Sequence, residues 1–392
     1  MTHEATIPQA IQPLLDELYQ ANGSDLHLRT GEPPKLRLHG EMTTAAQWQT
    51  ALGDLDAQAL ITDLIPNDER RVEFEDGRQE VDFAFEMPGK ARFRVNAYWT
   101  LAGRAAVIRL IPQRIPELST LGLPEVVRTM ATRPRGLVLV VGPTGSGKST
   151  TLASILDFVN QNRHGHIITI EDPIEFVHHP KNCTISQREV RSHTKSFETA
   201  LRFALREDPD VLLVGEMRDL ETIRATLTLA ETGHLVFATL HTHTAADTIQ
   251  RIINAFPGEQ QPQVRTQLAG VLECVVAQAL VRGSSISKRL LATEVMIVTP
   301  SIRPNIRDGK TDQIYSQIQL GREHGMRTFN ESLYAFITTG HITPDDAYRI
   351  SPNPGELRSL IESPRASLGI SRPVGGMPAR GGGMPRSPSS TR

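Results

Sequence analysis

The sequence predicts an α/β protein, a mostly parallel sheet flanked by helices and preceded by a smaller α+β domain. Three observations carry the prediction. Apolar runs at 137–141, 166–170, 211–214 and 235–240 are separated by helical segments, the pattern of buried parallel strands. The first run leads straight into Gly142-Pro143-Thr144-Gly145-Ser146-Gly147-Lys148-Ser149, and apolar residues then recur at helical spacing from Thr150 to Asn160. The first 115 residues instead alternate apolar and polar side chains, as half-buried antiparallel strands do.

In the leading domain, residues 5 to 20 read as an amphipathic helix with Ile11, Leu14, Leu15 and Leu18 on one face. Residues 25–41 read as a hairpin in which Leu26, Leu28, Leu36 and Leu38 interleave with Asp25, His27, Lys35, Arg37 and His39. Gly31-Glu32-Pro33-Pro34 supplies its turn. A helix follows around 56–65, then strands at 80–86, 91–98 and 104–111. Three prolines between Ile111 and Pro124 mark a linker. The expected division is an N-terminal α+β domain at 1–115, a linker at 116–134, an α/β domain at 135–350 that is mainly helical from 244, and a tail at 351–392. Residues 372–392 hold four arginines, no acid and many Gly, Pro and Ser, a composition expected to stay disordered.

Composition narrows the function classes. Of 392 residues, 39% are hydrophobic and 22% charged, so most of the chain should be globular. The formal net charge of −2 and the lack of a basic aromatic stripe give no case for a nucleic-acid partner. Cys183 and Cys274 are isolated and form neither a zinc ribbon nor a disulfide framework. No apolar run approaches the roughly 20 residues that span a bilayer, and the start, MTHEATIPQA, is not a signal peptide. A cytoplasmic protein is the expectation.

The glycine-rich segment fits G-x-x-x-x-G-K-[ST] and has the strand before and the helix after that this phosphate-binding loop requires. Its backbone N–H groups, from Gly142 to Thr150, would turn inward on phosphate oxygens, helped by the positive end of the helix. Lys148 would reach the β- and γ-phosphates, and the Ser149 hydroxyl would meet Mg²⁺.

Phosphoryl transfer then needs positioned acids and cations. Glu171, Asp172 and Glu175 follow the 166–170 strand and are candidates to hold Mg²⁺ or orient water. Glu216, after the 211–214 strand, stands where a Walker-B acid belongs, although Gly215 precedes it in place of the usual aspartate. His241 ends the 235–240 strand, where it would sense the γ-phosphate; His234 lies just before that strand. Taken singly, Asp172, Asp219 and His234 read as solvated or structural, but three successive strands ending in polar residues on one side converge as a nucleotide site must. Arg94 and Arg109 of the first domain are either surface arginines or fingers offered to a neighbouring subunit.

These segments together resemble the bacterial secretion and pilus ATPases. The resemblance rests on the loop Gly142–Ser149, the acid box Thr169-Ile170-Glu171-Asp172-Pro173-Ile174-Glu175-Phe176, Gly215-Glu216-Met217-Arg218-Asp219, and Gly233-His234-Leu235-Val236-Phe237-Ala238-Thr239-Leu240-His241-Thr242. Leu205–Asp210 and Ser24-Asp25-Leu26-His27-Leu28 are similar too. A short N-terminal region and no paired-cysteine zinc module point within the superfamily to the retraction (PilT/PilU) branch. Ser301-Ile302-Arg303-Pro304-Asn305-Ile306-Arg307-Asp308-Gly309-Lys310 is similar to that branch's Ala-Ile-Arg-Asn-Leu-Ile-Arg-Glu motif, departing from it at Pro304 and Asn305.

The resemblance implies a PAS-like N-terminal domain joined to a RecA-like P-loop ATPase domain, six chains in a ring, and ATP with Mg²⁺ as cofactors. It implies Glu175 as the general base with Glu171 as runner-up, Glu216 supporting metal and water, and His241 with His234 coupling the γ-phosphate to movement. Arg94 and Arg109 would reach across the cleft. The implied partner is the pilus inner-membrane platform protein, contacted from the cytoplasm, and the implied output is pilus retraction and twitching. The alternatives are a PilU-like accessory ATPase dependent on a paralogous motor, and a RecA-like ring that moves nucleic acid.

Overall fold

The computed structural model describes residues 7–38, 40–87, 89–111, 114–283 and 289–362. His39, Pro112 and residues 363–392 of the expected tail lie outside the described residues.

Alternation in the first domain becomes a six-stranded antiparallel sheet. Its strands are β1 (Asp25–Arg29), β2 (Lys35–Leu38), β3 (Glu41–Thr44), β4 (Val81–Met87), β5 (Ala91–Thr100) and β6 (Gly103–Ile111), in the order β3-β2-β1-β6-β5-β4. One face buries Val81, Phe83, Phe85, Phe93, Val95 and Ile108 against α1 (Gln12–Gln20) and α2 (Asp54–Ile61). The other face carries Arg94 directly opposite Arg109, and Arg109 directly opposite Asp25. The first helix starts at Gln12, later than its apolar spacing suggested, with a proline in its opening turn. Two elements were not expected. α3 (Asp68–Glu75) is almost wholly charged and buries only Phe74, and β3 is an exposed edge strand, so neither shows a hydrophobic period.

A separate core surrounds the second sheet, in the order β13-β12-β7-β11-β10-β8-β9. Its strands are β7 (Gly136–Val141), β8 (His166–Glu171), β9 (Thr184–Glu189), β10 (Val211–Val214), β11 (Leu235–Leu240), β12 (Leu272–Arg282) and β13 (Arg289–Ile297). β12, β7, β11, β10, β8 and β9 run parallel to their neighbours, and β13 is antiparallel at the edge. All six residues of β7 and of β11 are buried. Each large apolar side chain so placed contributes about 1.5–3 kcal/mol. The helices of this part are α4 (Glu125–Ala131), α5 (Lys148–Asn162), α6 (Phe197–Ala204), α7 (Leu220–Glu231), α8 (Ala245–Asn254), α9 (Gln261–Val271), α10 (Ile302–Arg307) and α11 (Ile314–Leu320).

Three expectations change. The region from 244 onward, read as mainly helical, also holds two long strands, because β12 and β13 form a hairpin on the β7 side of the sheet. Both strands are buried along most of their length, so they lack the alternation that reveals a strand. The proline-bearing linker contains α4 and a 3₁₀ turn at Leu118–Leu121, and Leu118, Val127 and Met130 are buried in the second core. The expected tail begins with a helix, α14 (Pro354–Glu362), that buries Leu357 and Leu360.

In α10, Ile302 and Ile306 are fully buried, and Arg303 donates to the Ala269 carbonyl at 2.5 Å and to Glu273 at 2.8 Å. Pro304 stands in the opening turn, where its missing N–H removes no helical bond, so its departure from the family motif does not break the helix.

The chain divides into two compact units between Phe329 and Asn330. In the second, α12 (Phe329–Thr338), α13 (Pro344–Ile350) and α14 are tied by Asn330, whose amide donates to the Asn353 carbonyl (2.9 Å) and to Glu356 (2.6 Å).

Candidate active site

β7, β11, β10 and β8 end side by side, and the loops that leave them build one polar surface, as open α/β sheets do at their carboxyl ends. After β7 the chain turns through Gly142, Gly145 and Gly147, with φ of 149°, 78° and 89°. A side chain at Gly142 would put its Cβ 2.2 Å from the Gln278 carbonyl oxygen on β12, so only glycine fits there. Gly147 turns the backbone into α5, whose first residue is Lys148. The Lys148 ammonium donates to the carbonyl oxygens of Gly142 (2.8 Å) and Pro143 (3.2 Å). Burial draws its pKa down, opposed by the negative charges of Glu216 and Glu175. Both carboxylates therefore lie within electrostatic reach of the lysine.

Glu216 follows β10. Its Oε1 lies 3.0 Å from His241 Nε2 and its Oε2 accepts from Arg218 at 2.6 Å. Burial acts to raise its pKa, but Arg218 and His241 outweigh burial and hold the carboxyl below its ordinary value. The other ring nitrogen of His241 is 3.4 Å from the Thr144 hydroxyl. Thr239, two residues earlier on β11, donates to the Gly215 carbonyl, which fixes the spacing of the two strand ends.

The acid box leaves β8. Burial pushes the Glu171 carboxyl up to about 7, against hydrogen bonds from Gln187 and the Glu175 backbone N–H. Glu171 lies beside Ser149, Gly215 and Thr239. Glu175 is exposed. The loop that carries it is pinned from β9. Gln187 accepts from the His178 N–H (2.7 Å) and donates to the Phe176 carbonyl (2.9 Å), while Glu189 accepts from the Ile174 N–H (3.1 Å). Asp172 pairs with Arg191 at 3.6 Å, and Asp219 caps α7 by accepting from the Thr222 N–H, so both act structurally.

The structure thus brings together Gly142–Thr150, Glu171, Glu175, Glu216 and His241. It does not bring His234 to them. That residue precedes β11, at the opposite end of a six-residue strand, and bonds to the Leu229 carbonyl and the Thr232 hydroxyl. A strand of that length spans about 20 Å, which corrects the expectation that His234 supports His241. Arg109 donates to Asp25 at 2.8 Å on the N-terminal sheet, with Arg94 beside it. Among the described residues no hydrogen bond or ion pair joins either arginine to the phosphate-binding loop. Arg218, Gln187 and Gln278 were not anticipated. Gln278 alone left a signal, a single polar residue inside the apolar run Val275-Val276-Ala277-Gln278-Ala279-Leu280-Val281.

Residues 1–342 match the model of the family described as type II/IV secretion system protein. The chain belongs to that family. The type IV pilus retraction ATPase PilT of Pseudomonas aeruginosa is 49% identical over 337 residues, 86% of this chain and 96% of the relative. The type IV pilus ATPase PilU of the same organism is 38% identical over 351 residues, 90% of this chain and 91% of the relative. The crystal structure of the pilus retraction motor PilT with bound ADP superposes with a TM-score of 0.82 at 45% identity, over 88% of this chain and 98% of that one. The chain is a nucleotide-binding ATPase of the PilT type, a RecA-like P-loop domain behind a smaller α+β domain. Among the described residues no helix is long and apolar enough to cross a membrane.

Proposed function

We propose that this ATPase hydrolyses ATP to drive type IV pilus retraction, as a homo-hexameric ring docked from the cytoplasm on the inner-membrane platform protein. The observation that carries the reading is the joining of the phosphate-binding loop to the strand-end acid by one imidazole, Thr144–His241–Glu216. The names borne by its relatives supply the direction of the work.

In this reading the loop from Gly142 to Thr150, through backbone N–H groups other than those of Gly142 (bonded to the Leu240 carbonyl) and Pro143 (which has none), and the Lys148 ammonium hold the β- and γ-phosphates. Ser149 and Glu216 would hold Mg²⁺. Their hydroxyl and carboxylate are hard oxygen donors, and no group of three or more acid, His or Cys ligands occurs among the described residues. Such a donor set fits an ion carried largely by phosphate and water. Bound there, Mg²⁺ supplies charge neutralisation on the phosphates. Glu175, exposed and within electrostatic reach of Lys148, takes the proton of the attacking water. Glu171, half-protonated near neutral pH and bonded to the Glu175 backbone, positions that loop instead. His241 relays the state of the γ-phosphate along the end of β11 to α8. Arg94 and Arg109 are offered to the site of the adjacent subunit, where they stabilise charge that develops in transfer.

Steady-state hydrolysis by the purified protein, set beside Lys148→Ala and Glu216→Gln, tests the chemistry. Native protein no faster than both variants removes it. Deletion of the gene tests the output. Hyperpiliated cells that do not twitch are expected, and normal retraction in the deletion strain overturns the retraction role.

A further inference from the structure

We propose that Gln278 is a positioning residue for the phosphate-binding loop, setting nucleotide affinity from behind that loop without touching the nucleotide. The inference rests on the reading above that Gly142–Ser149 grips the phosphates.

Gln278 lies in β12, beside β7, and is 2% exposed. Its amide donates to the Ser146 carbonyl at 2.8 Å, a fully buried bond between residues 132 apart in sequence. Its own carbonyl oxygen is 2.2 Å from where a Cβ on Gly142 would stand, and its side-chain nitrogen is 3.4 Å from where one on Gly147 would stand. One residue therefore backs the start, the middle and the end of the loop.

The chemistry argues against a role in simple packing. The Gln278 Oε1 atom and the Ser146 hydroxyl are both buried without a hydrogen-bond partner. A buried polar atom left unsatisfied is destabilising, and an apolar side chain of similar shape would avoid it. What glutamine alone provides here is the bond to Ser146, whose peptide must keep its carbonyl turned back so that the following N–H groups face the phosphates. The neighbouring strand does the same for the second nucleotide-facing loop. Glu294 of β13, paired with Ala277, accepts from the Ala245 N–H at 2.8 Å, at the start of α8 and just beyond His241–Thr244. The hairpin so sets both loops from one rigid edge.

The test is binding of a fluorescent ADP to the full chain, with the melting temperature measured without nucleotide. Gln278→Met keeps the volume and removes the donor. It is expected to weaken ADP binding about tenfold and to raise the KM for ATP similarly, with little change in kcat and no fall in the nucleotide-free melting temperature. Gln278→Asn keeps an amide but falls one methylene short of Ser146, and should show the same loss. Lys148→Ala should abolish binding. ADP affinity within about twofold of native in Gln278→Met or Gln278→Asn overturns the proposal, as does a loss of affinity that merely follows a lowered melting temperature in both variants. Native-like ADP binding by Lys148→Ala instead overturns the reading of the loop on which the proposal rests.

Discussion

His241 stands between two residues of the site, with Nε2 3.0 Å from the Glu216 carboxylate and Nδ1 3.4 Å from the Thr144 hydroxyl. A ring bonded on both sides has one orientation, and that orientation spans the phosphate-binding loop and the end of β10. Replacing it removes a contact whose value depends on the charge at the γ-phosphate. His241→Ala should therefore lower kcat by about 10²-fold while ADP affinity, set by the loop itself, changes little. Equal loss of kcat and ADP affinity would show that the ring only holds the loop in shape.

Glu171 makes the fold sensitive to pH. Its carboxyl, raised by burial to about 7, binds a proton in the folded chain at pH values where the unfolded chain, near 4.5, has released it. The folded state then holds more protons, so this group's contribution falls as pH rises between those two values and stays low above the upper one. Glu171→Gln removes the effect. Its unfolding free energy relative to native, from denaturant titrations, should rise from pH 5 to pH 8 by an amount on the order of 2 kcal/mol. A difference between the two proteins that does not vary with pH would refute the assignment.

Much of this was legible because the parallel strands are short, apolar and followed by glycine or an acid. β7 leading into Gly142–Ser149, and the acids after β8 and β10, each carry a local signal. The hairpin β12–β13 carried no periodic signal. Its strands are buried on both faces, so period two is erased, and its polar contacts, Gln278 to Ser146 and Glu294 to Ala245, join residues far apart in sequence. His234 misled for the opposite reason. It sits close to His241 in sequence, but the extended strand between them places it at the far end of the sheet. The charged α3 escaped because a helix that buries one residue has no periodic pattern to read.

Arg92 ties the N-terminal sheet to the acid box. It lies 3.3 Å from Glu189, the same carboxylate that accepts from the Ile174 N–H next to Glu175. The pair is mostly buried, with side-chain exposures of 21% and 12%. Movement of the first domain would act through this pair on the loop that carries Glu175. Arg92→Ala should lower kcat several-fold, with a smaller effect on KM, and Arg92→Lys, which keeps the charge, should restore part of it. An Arg92→Ala enzyme with native kcat would break this link.

Asp25 orients Arg109. The carboxylate is 7% exposed and accepts from the arginine at 2.8 Å, while the guanidinium side is 60% exposed. Burial acts to raise the Asp25 pKa, but hydrogen bonds from Arg109 and Ser24 outweigh it and hold the carboxyl below its ordinary value. A depressed carboxyl stabilises the fold above the unfolded-state value and loses that contribution as pH falls through the folded one, so this pair matters at neutral pH and fails only in acid. Asp25→Asn should cost about 1–3 kcal/mol in the N-terminal domain, read as a lower melting temperature at pH 7. If Arg109 completes a neighbouring site, the same change should lower hydrolysis by the assembled ring to the level of Arg109→Ala, and the double variant should be no worse than either. Additive losses in hydrolysis would show that Asp25 and Arg109 act apart, and that the buried carboxylate serves the sheet alone.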